Sequence, residues 1–452
     1  KKKFMPYRYL LKLYNIVKLS LALILLNLLY LNNSMAIGNI TISGSNKESL
    51  PIQLKIDTFD QTTNLNLLHV IIGRVQQQLN DSLIFKVNRE EDNNKLISRL
   101  LNKAPKIIAY EVSFAIKYQD NSDKVIISLG IFDNILNKKI NQFEVTTTAK
   151  EWFDGAAEIS DRLYYHFTGV YGYFDTSIVF VSEKGRFDNR TKKIAYMSLY
   201  GDRYEEYTNG THLVLSPTIS REKTDVAYVS YRSGKPKTFL YNIKTKQVTK
   251  AVASKQDIMT LTPNFVREQN NLLLLSTVYE GNSEVTLYNT QTKKAQRLTD
   301  NPATDISADF SISQNKIVFS SDRSGKAELY LIDSNGHNLK RLKFSKGTYT
   351  TPKFSPDGRY IAFTRILNNQ FSIGILDTDT FFTKILTTSY KNDSPSWAPN
   401  SKYIMFTQVQ EKHRSQKKNL SNLFIVDLNG NIIKKVNTPF DASEAYWFKN
   451  EE

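Results

Sequence analysis

Cysteine is absent from all 452 residues, which removes disulfides, thiolate zinc sites and lipid-modified cysteines from consideration. Histidine is scarce. His69, His166, His212, His337 and His413 lie far apart, with neither HxxxH nor HExxH spacing, so the sequence shows no motif for the three or four ligands of a zinc site. No G-x-S-x-G elbow occurs, and the N-terminal region holds no glycine loop of the kind that cradles phosphate. The apolar run Leu19 to Leu31 is 13 residues, short of the roughly 20 needed to span a membrane. Stability must therefore come from packing, and 12% aromatic residues supply the material for it.

What is present begins with that run. Lys1, Lys2, Lys3, Arg8, Lys12 and Lys18 precede it without an acidic residue, and Ser34-Met35-Ala36 follows with small residues. Residues 1–36 are expected to be a cleaved export signal, giving a protein that starts at Ile37 and works outside the cytoplasm. Removing six cations from a formal charge of +16 leaves +10. The excess is mostly lysine scattered among strands and turns. It reads as a solvated surface with some attraction for anionic lipid or acidic partners rather than as a nucleic-acid footprint. The dense cluster Lys412 to Lys418 is expected in an enlarged hairpin of the last complete repeat.

One unit recurs over the last two thirds of the chain. Its clearest copy runs Thr351-Pro352-Lys353-Phe354-Ser355-Pro356-Asp357-Gly358 and continues into Tyr360-Ile361-Ala362-Phe363-Thr364. This is a strand, a tight turn in which Gly358 allows positive φ, and a second strand. Related starts fall at Ser216, Thr262, Ser307, Ser394 and Ser443, giving a period near 45 residues. About four short strands per period signal a β-propeller. The first unit, near Ile178, lacks an entry strand, and the last, Ser443 to Phe448, is an entry strand alone. The C-terminal strand is therefore expected to complete the first blade and close a ring of six over residues 174–448, which as a closed ring is expected to be monomeric.

Residues 37–168 do not follow the period and read as a small α/β domain. Ile40 to Ile42 and Ile52 to Ile56 alternate as strands, and Asn66 to Leu79 has helical spacing. Ile107 to Tyr118, Val125 to Phe132 and Lys139 to Thr147 read as strands, and Ala149 to Phe167 as a closing helix capped by Gly169. The fold class is thus an α/β N-terminal domain followed by an all-β six-bladed propeller.

No catalytic constellation emerges, and no cofactor or metal is expected. Asp322, Asp333, Asp357, Asp377 and Asp427 recur at turns, where aspartate usually accepts backbone N–H bonds. What remains is surface: the segments just before the entry strands share one face around the central opening. A secreted lyase or hydrolase working from the channel is the alternative, and it would need clustered carboxylates or a metal there.

The junction Ala157-x-x-Ser160-Asp161 followed by Phe167-Thr168-Gly169-x-x-Gly172-x-Phe174-x-Thr176-x-Ile178-x-Phe180-Val181, between the α/β domain and the six repeats, resembles the TolB family of the Tol–Pal system. The resemblance implies a non-enzymatic periplasmic adaptor supporting outer-membrane invagination and integrity. It implies a Pal-like lipoprotein on the propeller mouth, at Met259, Thr260, Leu261, Thr262, Asp305, Ile306, Ser307, Tyr349 and Asp393. It also implies that Ile37 to Pro51, with Ile40, Ile42, Gly44 and Pro51 matching the family pattern, binds the C-terminal domain of TolA by adding a strand to its sheet. The chain departs from the family's frequent His, Thr and Glu-Pro at Met259, Ile306 and Ser307-Ala308.

Overall fold

The computed structural model describes residues 49–56, 65–89, 110–119, 123–185, 189–252, 258–266, 269, 271–410 and 420–450. The chain divides into two compact units. Ser49–Tyr165 and Val170–Glu452 make one; of the other, only His166–Gly169 are described. The expected strand Ile40 to Ile42 and the Lys412 to Lys418 hairpin lie outside the described residues.

The α/β domain is a five-stranded sheet carrying two helices. Its elements are β1 (Leu50–Ile56), α1 (Leu65–Asp81), β2 (Phe85–Arg89), β3 (Tyr110–Tyr118), β4 (Lys124–Asp133), β5 (Lys138–Thr148) and α2 (Trp152–Thr168). The order is β2-β1-β3-β4-β5, with β1 parallel to both its neighbours and the other pairs antiparallel. Leu68, Ile71, Ile72, Val75 and Leu79 recur at three- and four-residue steps, so α1 buries one stripe, and all five side chains are buried. Ala156, Ile159 and Leu163 do the same for α2. Gly169 beyond α2 has φ 71°, as a helix cap requires. Strand β2 was not foreseen: five residues with only Phe85 and Val87 turned inward are too short for their alternation to stand out.

Six four-stranded sheets follow. Blade 1 joins the C-terminal strand Asp441–Lys449 to Thr176–Lys184, Thr191–Ser198 and Tyr204–Glu206, so the last strand of the chain closes the ring as expected. The inner strands of blades 2 to 6 are Val214–Ile219, Thr260–Phe265, Asp305–Ser311, Thr348–Phe354 and Lys391–Trp397. The outer strands of blades 1 to 4 are short, three residues in Val248–Lys250 and two in Lys340–Arg341, which leaves little exposed edge there, whereas Thr383–Ser389 of blade 5 has seven.

Neighbouring blades pack through apolar faces. Ile373 and Ile375 of blade 5 meet Trp397, Ile404, Phe406 and Val426 of blade 6. Hydrogen bonds one repeat apart lock the inner strands together: Phe354 N–H donates to Asp309 Oδ2 at 2.6 Å, Trp397 Nε1 to the Lys353 carbonyl at 2.9 Å, and Trp447 N–H to Ser396 Oγ at 2.9 Å.

Candidate partner-binding face

Every inner strand breaks register once, between Leu215 and Thr218, Leu261 and Asn264, Ile306 and Asp309, Thr350 and Lys353, Asp393 and Ser396, and Ser443 and Tyr446. Each bulge holds a non-glycine residue at positive φ: Ser216 (50°), Thr262 (43°), Ser307 (58°), Thr351 (47°), Ser394 (54°) and Glu444 (51°). The sixth repeat therefore aligns at Glu444, one residue past the Ser443 expected from sequence, because the bulge and not the serine marks the equivalent position. Left-handed backbone costs roughly 1–2 kcal/mol per residue, so the surroundings must hold these six in place, and such strain often collects at functional sites.

The holding contacts are polar. Thr262 Oγ1 lies 2.6 Å from Ser276 Oγ, and Thr351 Oγ1 lies 2.7 Å from Thr364 Oγ1. Ser216 donates its N–H at 2.8 Å and its hydroxyl at 3.1 Å to Glu444 Oε2, while Glu444 N–H donates to Thr407 Oγ1 at 2.9 Å. Ser394 N–H donates to Asp393 Oδ1 at 2.6 Å, and Thr364 Oγ1 donates to the same oxygen at 3.3 Å. Burial pushes the Glu444 carboxyl up, although the Ser216 N–H and Lys192 pull it down. The mouth is thus a ring of half-buried hydroxyls with two carboxyls, Asp393 and Glu444. It offers hydrogen bonds to a polar partner surface. Among the described residues, no group of three or more His, Asp or Glu could hold a metal ion.

The positions expected to form this face divide in two. Thr260, Asp305 and Tyr349 are buried and serve the fold. Thr260 Oγ1 accepts the Thr238 N–H at 2.7 Å, joining blades 2 and 3. Asp305 pairs with Arg323 at 2.6 Å, and Tyr349 stacks on Phe344 with centroids 4.2 Å apart. Met259, Leu261, Thr262, Ile306, Ser307 and Asp393 are half-buried around the mouth. Pro51 is half-buried in β1, whereas Ile40, Ile42 and Gly44 lie outside the described residues. His212 is exposed just ahead of the blade 2 inner strand. Ser216, Thr351, Ser394 and Glu444 were missed, although a polar residue before Pro or Ala in every repeat was the available signal.

Of the recurrent aspartates, Asp357, Asp377 and Asp427 accept backbone N–H bonds of their own turns, and Asp322 accepts the N–H of Thr304 from the preceding loop. Asp333 instead takes the side chains of Lys316 (2.7 Å) and Asn338 (2.5 Å).

These features define a six-bladed β-propeller with an α/β domain and a polar mouth. The chain belongs to the TolB β-propeller family, whose profile, described as the TolB beta propeller domain, matches residues 164–450. It is 26% identical over 326 residues to the Tol-Pal system protein TolB of Gluconobacter oxydans (strain 621H), covering 72% of this chain and 71% of that protein. It is 29% identical over 334 residues to the protein of the same name from Rickettsia massiliae (strain Mtu5), covering 72% and 74%. The crystal structure of TolB from Acinetobacter baumannii superposes with a TM-score of 0.72 at 21% identity, covering 88% of this chain and 97% of that one, and so shares the fold.

Proposed function

We propose that this protein is a periplasmic adaptor of a Tol–Pal system, exported by residues 1–36, that receives a Pal-like lipoprotein on the propeller mouth. Through Ile37 to Pro51 it would engage the C-terminal domain of a TolA-like protein. In that role it would support outer-membrane invagination and integrity. The observation that carries the reading is the ring of six strained, hydrogen-bonding residues at the mouth of a TolB-family propeller. Half-buried Met259 and Ile306 flank that ring and supply apolar anchors beside the polar one.

Protein beginning at Ile37 and protein beginning at Pro51 are used as bait in an extract of the cell envelope. Both should recover a Pal-like lipoprotein, and only the longer a TolA-like protein. Met259→Asp with Ile306→Asp should weaken Pal binding by roughly tenfold or more, the scale of a desolvated apolar anchor, with an unchanged melting temperature. Unaltered affinity would move the site off this face.

A further inference from the structure

Strand direction alternates within each blade, so two turns lie at the end opposite the mouth: inner-to-second and third-to-outer. The α/β domain covers that end at blades 6 and 1. Arg74 binds Asp202 in the third-to-outer turn of blade 1, Asp81 binds Lys434 just past that turn in blade 6, and Asn400 Nδ2 donates to the Tyr171 carbonyl. Blades 2 to 5 carry the rest of this end.

Three third-to-outer turns there share one backbone. Asn242, Asn289 and Asp377 open them and accept the N–H of Thr245, Thr292 and Thr380 at 2.9, 2.8 and 2.9 Å. The fifth residue donates its own N–H to the opening carbonyl at 2.8, 2.9 and 2.9 Å, with φ of 60°, 60° and 57°. In blades 2 and 3 that residue is Lys246 or Lys293, followed by Gln247 or Lys294. In blade 5 it is Phe381, followed by Phe382. The turn itself asks for neither phenylalanine, since its sister turns keep the same geometry with lysine, and positive φ is unusual for a bulky side chain. Yet Phe381 is 40% exposed, Phe382 is 69% exposed, and Leu339 of blade 4 is 49% exposed. Lys340 Nζ, next in sequence to Leu339, sits 3.9 Å from the Phe381 ring centroid. Adjacent exposed aromatic side chains such as Phe381 and Phe382 mark a candidate contact surface.

We propose that this end of the propeller is a peripheral membrane-binding face, with Phe381 and Phe382 entering the headgroup region of an anionic bilayer and lysines at the neighbouring turn tips meeting its phosphates. Aromatic side chains favour the membrane interface, and cations around them add attraction for anionic lipid. Lys293, Lys294 and Lys340 provide those cations, while Lys246 is paired with Glu205 at 2.5 Å. Asp377 folds back to cap its own turn, and Asp379 with the exposed Asp357 of the neighbouring turn are the acidic exceptions in blade 5. A second copy docked by this same face would bring lysine tips against lysine tips, which disfavours self-association there. The proposal is independent of the mouth and of any partner bound to it.

The test is flotation of protein starting at Ile37, so that the apolar run Leu19 to Leu31 does not bind lipid by itself. The vesicles are phosphatidylcholine with and without phosphatidylglycerol. The wild type should float with the anionic vesicles and release at high salt. Phe381→Lys with Phe382→Gln, the pair blade 2 carries, should bind roughly tenfold more weakly, the scale of one buried aromatic side chain. It should keep the wild-type melting temperature. Lys293→Ala with Lys294→Ala should reduce binding severalfold and flatten its salt dependence. Equal flotation with neutral and anionic vesicles, or an unaffected phenylalanine variant, overturns the proposal. A concentration-dependent dimer that the phenylalanine variant abolishes assigns the face to a second copy instead.

Discussion

The strand that closes the ring and the seam that carries the α/β domain meet at Tyr173, and they are made of opposite materials. The closing strand pairs from Asp441 opposite Glu183 to Lys449 opposite Thr176, with its bulge between Ser443 and Tyr446, and buries Trp447 completely. The indole's one polar atom donates to Thr176 Oγ1 at 2.7 Å. The seam is polar. Arg74 grips Asp202 through two nitrogens at 2.5 and 2.9 Å, Lys434 holds Asp81 at 2.9 Å, and the Tyr164 and Tyr403 hydroxyls lie 3.1 Å apart. Burial lowers the Lys434 ammonium pKa although Asp81 opposes this, and burial raises the tyrosines. Tyr173 touches both regions, its ring 5.5 Å from Trp447 and 4.5 Å from Tyr403. Apolar closure gains from every surface removed from water, whereas a polar seam exchanges water bonds for protein bonds at a smaller net gain. The ring closure therefore gains mostly from apolar burial, and the seam adds polar pairs to its buried aromatic contacts.

The sharpest way to break that contrast is Trp447→Ala, which should cost about 3–5 kcal/mol in a denaturant titration. A loss the size of a surface substitution would show that the ring closes without the indole. Next, Arg74→Ala should cost about 2 kcal/mol, the scale of hydrogen bonds to a charged partner. Most of that loss should vanish in an Asp202→Ala background, so additive losses would deny the pair its role in the seam.

A pH series sharpens the contrast at the connector. Asp161 of α2 accepts the backbone N–H groups of Phe174 and Asp175 at 3.0 and 3.1 Å, and Gly172 leaves no room for a Cβ, which would fall 2.1 Å from its Oδ1. Burial pushes the Asp161 carboxyl up to about 7 despite those two donors. The folded value is raised, so protonation favours the folded state. This contribution is fully present below the unfolded value near pH 4 and is lost as pH rises through about 7. The slope is at most about 1.4 kcal/mol per pH unit. Unfolding free energies measured across that window should fall in the wild type and flatten in Asp161→Asn; parallel curves would remove Asp161 from the account. The smallest effect is expected for Arg203→Ala, whose pair with Asp154 is half exposed (2.5 Å) and should contribute no more than about 1 kcal/mol.

Much of the propeller was readable because its signal repeats. The Ser-Pro and Thr-Pro starts, the Asp-Gly and Asn-Gly turns and the apolar second strands recur about every 45 residues, so one clear copy at Thr351 identifies the weaker ones. Strand β2 has no such copies, and five residues gave too little alternation. Thr260, Asp305 and Tyr349 show the limit at the mouth. Position in the repeat placed them near it, but burial is set by neighbours such as Thr238, Arg323 and Phe344, and sequence spacing does not encode those contacts.

By itself the sequence determined the number of blades, the closure by the C-terminal strand and the helical stripes of the α/β domain. All of these rest on periodicity, which is a local property of the chain. Only the tertiary structure decided that six residues share the same strained backbone around one opening, and that Arg74 finds Asp202 across 128 residues. It alone placed Phe381 and Phe382 at the same end of the propeller as the α/β domain. Such pairings depend on which distant segments the fold brings together, and no repeat length records them.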